Sequence, residues 1–230
     1  LVVPQVNGGL IGPDDRLVAN PNCSTIQMVM ALAPLHFKYR VQRIVVCTYQ
    51  AVSGSGRKGL EQVLAERRAW AEGKQMPPEG SVYPCPIDLN VIPYIGALTP
   101  GGYTEEEIKM REETQKILAD VQIGISATCV RVPVIAGHCV AVNVRLARSF
   151  DMEEVCSLIK NFPGLLFNDL SYGQGYAVPR EAEGTDSVYV ARVRRDPSQE
   201  NTLDLWIVAD NLRKGAALNA IQIGELLLQC

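Results

Sequence analysis

The stretch ISATCVRVPVIAGHCVAVNVRLAR, residues 125–148, decides the fold. Two runs rich in β-branched and apolar residues, ISATCVRVPV and CVAVNVRLAR, flank the turn IAGH, which predicts two strands joined by a short connection. Upstream, QRIVVCTYQ at 42–50 is β-branched and apolar, as a buried strand would be. Downstream, SVYVARVRR and LDLWIVA supply two more. Helical patterns lie between these runs. One runs from about Cys23 to His36, and a second from about Leu60 to Glu72 with Leu60, Leu64 and Ala71 at helical spacing. A third follows the capping box of Thr104 and Glu107 to about Ala119, and a fourth runs from Asp151 to about Phe162 with Glu153 and Glu154 in its first turn. The last twenty residues, NLRKGAALNAIQIGELLLQC, are helical in pattern apart from their glycines. MPPEGSVYPCPIDLNVIPYIG, residues 76–96, is rich in proline and turn residues and predicts an irregular excursion over the surface or at an interface. Adjacent strands with helices between them predict an α+β domain with a mixed, largely antiparallel sheet.

Composition narrows the functional classes. The chain has 230 residues, 47% of them hydrophobic, enough to bury a substantial core as one large domain or two small ones. A net charge of −3 gives no general reason to expect nucleic acid or an anionic membrane as partner. No apolar run reaches the roughly 18–20 residues of a membrane span, and LVVPQVNGGLIGPDD lacks the basic segment of a secretory signal. Cysteines at 23, 47, 85, 129, 139, 156 and 230 are an odd number without CxxC or Cys/His ligand spacing. They read as reduced thiols in a cytoplasmic compartment and give no metal site. The start at Leu1 rather than Met reads as a cut from something longer.

Two local patterns carry chemistry. In ANPNCSTIQMVMAL, residues 19–32, Asn22 is placed to cap a helix whose first residue is Cys23. Unpaired N–H groups and the helix dipole there favour an anion, so the thiolate is expected to form more easily, and the same N–H groups could hold an oxyanion. Packing is the alternative reading of the same cysteine. In the second pattern the strand at 42–50 runs into the glycine loop AVSGSGRKG and then a helix, an arrangement that binds ligands.

NPNCST, TYQAVSGSG, GGYTEEEIKM, TCVRVPV with GH after it, and VADNLRKGAA occur in this order over nearly the whole chain. In this the sequence resembles the C-terminal part of the aspartate-β-semialdehyde dehydrogenases. The resemblance implies the C-terminal fold shared with glyceraldehyde-3-phosphate dehydrogenase, with helices packed on one face of the sheet. It also implies a cytoplasmic homodimer using NADP to interconvert aspartyl-4-phosphate and aspartate-4-semialdehyde plus phosphate, on the way to lysine, threonine and methionine. The family's Rossmann domain precedes this region. Residues 1–20 are therefore expected to belong to that cofactor domain, 21–209 to form the catalytic and dimerisation domain, and 210–230 to be a helix that packs on the cofactor domain. Without that domain the chain alone is expected to be inactive, with the helix face of Ala217, Ile221 and Leu228 uncovered.

The resemblance assigns Cys23 as nucleophile, where a thiolate can attack the acyl phosphate and form a thioester. It makes His138 the acid/base partner, able to move a proton near neutral pH. His36 matches no motif. Gln50 is implied against the substrate near the reacting carbon, and Arg131, costly in an apolar strand unless paired or facing a cleft, is implied to bind the substrate α-carboxylate with its fork. Glu106 and Lys109 share a helix face and could form an ordinary solvated pair; the resemblance assigns the substrate amino group to Glu106 and phosphate to Lys109. The resemblance also implies cofactor contacts at Ser53, Gly54, Pro86 and Asn211. Cys47, Cys129, Cys139 and Cys156 read as core residues. Two other readings stand beside this one: an N-acetyl-glutamyl-phosphate reductase, against which the amino-group carboxylate Glu106 argues, and a non-catalytic dimerisation module.

Overall fold

A computed structural model describes residues 1–75, 82–168 and 175–229. The first six residues of the excursion at 76–96 lie outside the described residues. In chain order the elements are α1 (Pro4–Asn7), α2 (Cys23–Tyr39), β1 (Val41–Gln50), α3 (Gly56–Ala71), α4 (Glu105–Ile117), β2 (Gly124–Arg131), β3 (His138–Leu146), α5 (Met152–Lys160), β4 (Leu165–Asn168), α6 (Pro179–Ala182), β5 (Val188–Arg195), β6 (Thr202–Ala209) and α7 (Leu218–Leu227). A 3₁₀ turn at Val52–Ser55 separates β1 from α3, and a π-helical turn at Arg213–Ala217 leads into α7.

Among the described residues the strands form one sheet in the order β2-β1-β3-β6-β5-β4. The pairs β1/β3, β3/β6 and β5/β6 are antiparallel, whereas β1/β2 and β4/β5 are parallel. This is the mixed, largely antiparallel α+β arrangement that the sequence predicts. The strands on either side of IAGH are present, but they do not pair with each other: β1 lies between them. The reason is long-range. Val45, Val46 and Cys47 supply a fully apolar centre that takes up both hydrogen-bonding edges, against Ser126–Thr128 on one side and Ala141–Asn143 on the other.

One face of the sheet holds the main core. Ile44 and Val46 of β1, Val140, Val142 and Val144 of β3, and Leu203, Leu205 and Ile207 of β6 are buried there with Ile26, Met30 and Leu35 of α2, Met110 and Ile117 of α4, and Val155 and Ile159 of α5. Alternation along the strands directs the intervening residues to the other face, where Tyr49 and Trp206 stand half exposed with ring centroids 5.5 Å apart. Cys129 and Cys139 are buried, and Cys47 and Cys156 half-buried.

The chain ends pack together. Val2 and Ile11 bury against Ile223 of α7, with Val18 and Leu226 beside them. Ala217, Ile221 and Leu228, the face that the sequence reading expected to be uncovered, are exposed, as are Ala220, Glu225 and Leu227 beside them.

Candidate active site

Strand direction brings the functional residues together. Because β1 and β2 run parallel, with Gln50 opposite Arg131, both strands end at the same edge of the sheet. Antiparallel β3 begins there with His138, whose partner Ala209 ends β6 immediately before Asp210 and Asn211. The N-termini of α2 and α4 point at the same edge and carry Cys23 and Glu106.

Cys23 is the first residue of α2, and Asn22 caps it as the sequence predicts: its Oδ1 accepts from the N–H groups of Ser24 at 2.9 Å and Thr25 at 3.2 Å. The expected ease of thiolate formation is not what the surroundings provide. Burial first, and then the negative charge of Glu106, push the Cys23 thiol up to about 11, against smaller lowering by the Ser24 N–H and Arg131. The helix start does favour the anion, but desolvation and a facing carboxylate outweigh it.

Glu106 is buried, and both amide donors that it accepts come to one oxygen: Asn22 Nδ2 at 2.8 Å and Gln50 Nε2 at 3.0 Å. A single carboxylate thus ties the cap of α2 to the end of β1. Glu113, two turns further along α4, accepts the Asn22 backbone N–H at 2.8 Å. Its position seven residues after Glu106 places it on the same helix stripe, a signal available in the sequence but not used.

Arg131 is buried, and its Nη1 donates to the carbonyl of Ala51 at 2.7 Å. Its Nε, also buried, has no hydrogen-bond partner, so the side-on edge formed by Nε and Nη2 remains for a planar anion. His138 is fully buried and accepts the Ala51 N–H on Nδ1 at 3.0 Å. The neutral ring therefore carries its proton on Nε2, which has no partner. Burial and then Arg131 hold His138 down to about 3, a correction to the expectation of a residue that titrates near neutral pH: the ring is neutral here and presents a donor. A β-carbon on Gly54 would stand 2.8 Å from Arg131 Nη1 and 3.0 Å from His138 Cε1, so only glycine lets the loop lie against both.

The expected cofactor contacts divide. Ser53 and Asn211 meet: the Ser53 hydroxyl lies 3.1 Å from Asn211 Oδ1 and 3.0 Å from Nδ2, while Oδ1 also accepts the Gly137 N–H at 3.0 Å. Gly54 adjoins them. Pro86 lies in the excursion, where its carbonyl accepts from Asn90, and the structure does not bring it into this group. Lys109 is exposed on α4, away from the buried side occupied by Glu106. His36 accepts the Val41 N–H at the far end of α2. The sequence reading missed Gly215, where a β-carbon would meet that of Cys23 at 2.9 Å; the π-helical turn that carries it has no short-range sequence signature. Among the described residues no group of histidine, cysteine or carboxylate side chains could hold a metal ion, and no helix is long and apolar enough to cross a bilayer.

Comparison with known proteins agrees with this architecture. The family described as "Semialdehyde dehydrogenase, dimerisation domain" matches residues 32–214. The aspartate-semialdehyde dehydrogenase of Aquifex aeolicus is 46% identical over 236 residues, covering 100% of this chain and 68% of the relative. That of Bacillus subtilis is 40% identical, covering 99% and 67%. The crystal structure of aspartate semialdehyde dehydrogenase II from Vibrio cholerae complexed with ASA superposes with a TM-score of 0.94 at 41% identity, over 99% of this chain and 67% of that one. The enzyme of Candida albicans, solved with NADP, shares the fold with a TM-score of 0.71 at 24% identity, over 99% of this chain and 66% of that one. With about two thirds of the length of these relatives, and itself matched over 99–100% of its length, the chain belongs to the aspartate-semialdehyde dehydrogenase family.

Proposed function

We propose that this chain contributes the Cys23 centre of an enzyme that interconverts aspartyl-4-phosphate and L-aspartate-4-semialdehyde plus phosphate, in the route to lysine, threonine and methionine. The observation that carries this reading is the convergence on one sheet edge of a capped cysteine, an unpaired buried carboxylate, and two buried donors without partners, Arg131 Nε and His138 Nε2. An amino acid with a reactive acyl group needs this set: an anion for its ammonium, a fork for its α-carboxylate, a nucleophile, and a donor for the acyl oxygen.

In the reductive direction Cys23 attacks the acyl carbon of the mixed anhydride. The C–O bond to phosphate breaks, a thioester forms on Sγ, and the thiol proton leaves with the phosphate, since the neutral His138 ring has no free acceptor nitrogen. Glu106 and Arg131 hold the two ends of the amino acid, and Gln50, held by Glu106, lies along the backbone between them. His138 donates from Nε2 to the acyl oxygen as charge collects there. Lys109 on the rim meets the phosphate as a point charge. We infer NADP as cofactor. Ser53 and the second N–H of Asn211 offer neutral donors suited to a carboxamide beside Gly54. Bound there, the reduced cofactor would supply the hydride that takes the thioester to the aldehyde, with Cys23 as the leaving group.

We also infer a cytoplasmic homodimer, supported by the family description and by the half-open sheet face of Tyr49 and Trp206. The inferred domain division, with 21–209 as catalytic and dimerisation domain, is supported in part by the family match over 32–214. The packing of 1–20 on α7 gives the flanking segments a common face.

The test needs no cofactor. Incubation with aspartyl-4-phosphate should add a hydroxylamine-sensitive acyl mass at Cys23. No adduct, or the same adduct in Cys23→Ser, overturns the reading.

A further inference from the structure

Glu106 is an unusual carboxylate. It is buried, and among the described residues no lysine or arginine lies within ion-pair distance of it. Asn22 and Gln50 solvate one of its oxygens without neutralising it. A buried, uncompensated carboxylate is costly and calls for a cation. Its first hydrogen-bond partner, Asn22, is the residue immediately before Cys23 and the cap of the same helix. The charge that awaits a ligand is therefore built into the seat of the nucleophile.

We propose that Glu106 makes the free α-ammonium of the substrate a condition for chemistry as well as for binding: while the ammonium position is empty its carboxylate, beside the cap of the helix that seats Cys23, adds to burial in holding Cys23 as a thiol, and a bound ammonium, by neutralising that carboxylate, makes Cys23 easier to ionise. This rests on the reading of Glu106 as the ammonium site.

The other charges around Cys23 are fixed by their contacts. From α4, Glu113 accepts the Asn22 N–H, and the exposed Lys109 lies close enough to oppose Glu113's charge. From β2, Arg131 favours the thiolate but is anchored to the Ala51 carbonyl. From β3, His138 is neutral. The π-helical turn that touches Cys23 through Gly215 carries Lys214, whose ammonium is held by Gln5, Asn219 and Gln222. Glu106 is the charge that the substrate's ammonium would neutralise; the substrate's α-carboxylate would meet Arg131, whose smaller effect on Cys23 has the opposite sign, so an analogue without the ammonium brings that loss without the gain.

The consequence is specificity. An N-acylated analogue brings no cation, so it forfeits the contact with Glu106 and also leaves Cys23 protonated. The two losses multiply. Discrimination against a substrate that differs only by an amide at nitrogen then exceeds what one lost ion pair in the binding site would give.

The test reads the thiolate fraction of Cys23 at about pH 9 from the ¹³Cβ shift of labelled cysteine in the intact protein, assigned with Cys23→Ser. Glu106→Gln should raise this fraction about tenfold, one unit in the ionisation midpoint. Saturating L-aspartate should raise it in the native protein, by less than the substitution does because its α-carboxylate offsets Arg131, and should not raise it in Glu106→Gln; N-acetyl-L-aspartate should not raise it in either. The ligand arms on the native protein need no mutation, and calorimetry measures the binding of each ligand in parallel. If Glu106→Gln weakens aspartate binding while aspartate leaves the native thiolate fraction unchanged, the inference is overturned and the ammonium site stands. If Glu106→Gln binds aspartate as tightly as the native protein, the ammonium site itself is wrong and the inference falls with it. Equal effects of L-aspartate and N-acetyl-L-aspartate on the thiolate also overturn it.

Discussion

Ala51 uses both of its backbone groups on the active site: its N–H donates to Nδ1 of His138 at 3.0 Å, and its carbonyl accepts from Arg131 at 2.7 Å. The first bond fixes the ring, because a nitrogen that accepts a backbone N–H cannot also carry a proton in the neutral imidazole. His138 should therefore remain the Nε2–H tautomer down to about pH 3–4, and ring ¹⁵N shifts should show no protonation step near 6.5. The sign of the stability effect follows. The folded value lies below the unfolded one, so as pH falls from 6.5 towards 3 the unfolded chain gains a proton that the folded chain refuses. Stability should fall over that window by on the order of 4 kcal/mol. Denaturant titrations of His138→Gln should lack this part of the acid slope; an unchanged slope would show that the ring charges without cost.

Gly54→Ala tests how tightly the loop lies on the two side chains. Its methyl would meet the Arg131 guanidinium at 2.8 Å and the His138 ring at 3.0 Å, and Arg131 is pinned by Ala51. Overpacking of this kind costs about 1–3 kcal/mol in stability. Activity should suffer more, with kcat down about a hundredfold, because a shift of about 1 Å in positioning groups has that effect. A variant with native kcat and lowered stability would refute the close approach.

Lys214 is buried with its ammonium bonded to Gln5 at 2.7 Å, Asn219 at 2.9 Å and Gln222 at 2.8 Å, all through amide oxygens. Burial lowers it from 10.5 to about 8. Here the folded state gives up its proton first, so stability should rise as pH goes from about 8 to 10.5, by roughly 3 kcal/mol if the full shift is expressed. Lys214→Met removes the ammonium donor from the amide oxygens of Gln5 and Asn219, while that of Gln222 keeps the Gln5 amide donor, and should be less stable at pH 7, without that alkaline rise. Chemical denaturation of both proteins at several pH values measures the difference.

What the sequence disclosed was mostly local. The Asn22 cap and the Thr104–Glu107 box depend on residues within three positions of each other, and both are present. Arg131 was visible as a charge in an apolar strand. The insertion of β1 between β2 and β3 was not visible, because strand neighbours are chosen by the whole sheet and not by the connection between two runs. β4, only four residues long, carried too little pattern. The direction of the Cys23 ionisation was missed for the same reason as the sheet order: Glu106, which reverses the helix-start effect together with burial, bonds to Asn22 across 84 positions of sequence.

Arg131 and Lys109 are both cations, but the structure places them in different physical settings, and their substitution should separate the two ends of the substrate. Arg131 is buried, anchored through Nη1, and keeps Nε without a partner. Arg131→Lys preserves the charge but loses the planar edge and the clamp on Ala51, so binding of the semialdehyde through its α-carboxylate should weaken about a hundredfold, and the apparent constant for phosphate should change little. Lys109 is exposed and free to follow a doubly charged anion as a point charge. Lys109→Ala should raise the apparent Michaelis constant for phosphate, by about tenfold at low salt and less at high salt as screening weakens the surface charge, and leave that for the semialdehyde near native. Steady-state kinetics of the holoenzyme with each substrate varied in turn gives both constants for both variants. Equal losses on the two substrates in both variants would dissolve the division of labour. Loss of phosphate affinity in Arg131→Lys, with Lys109→Ala unaffected, would move the phosphate from the rim of α4 to the buried guanidinium.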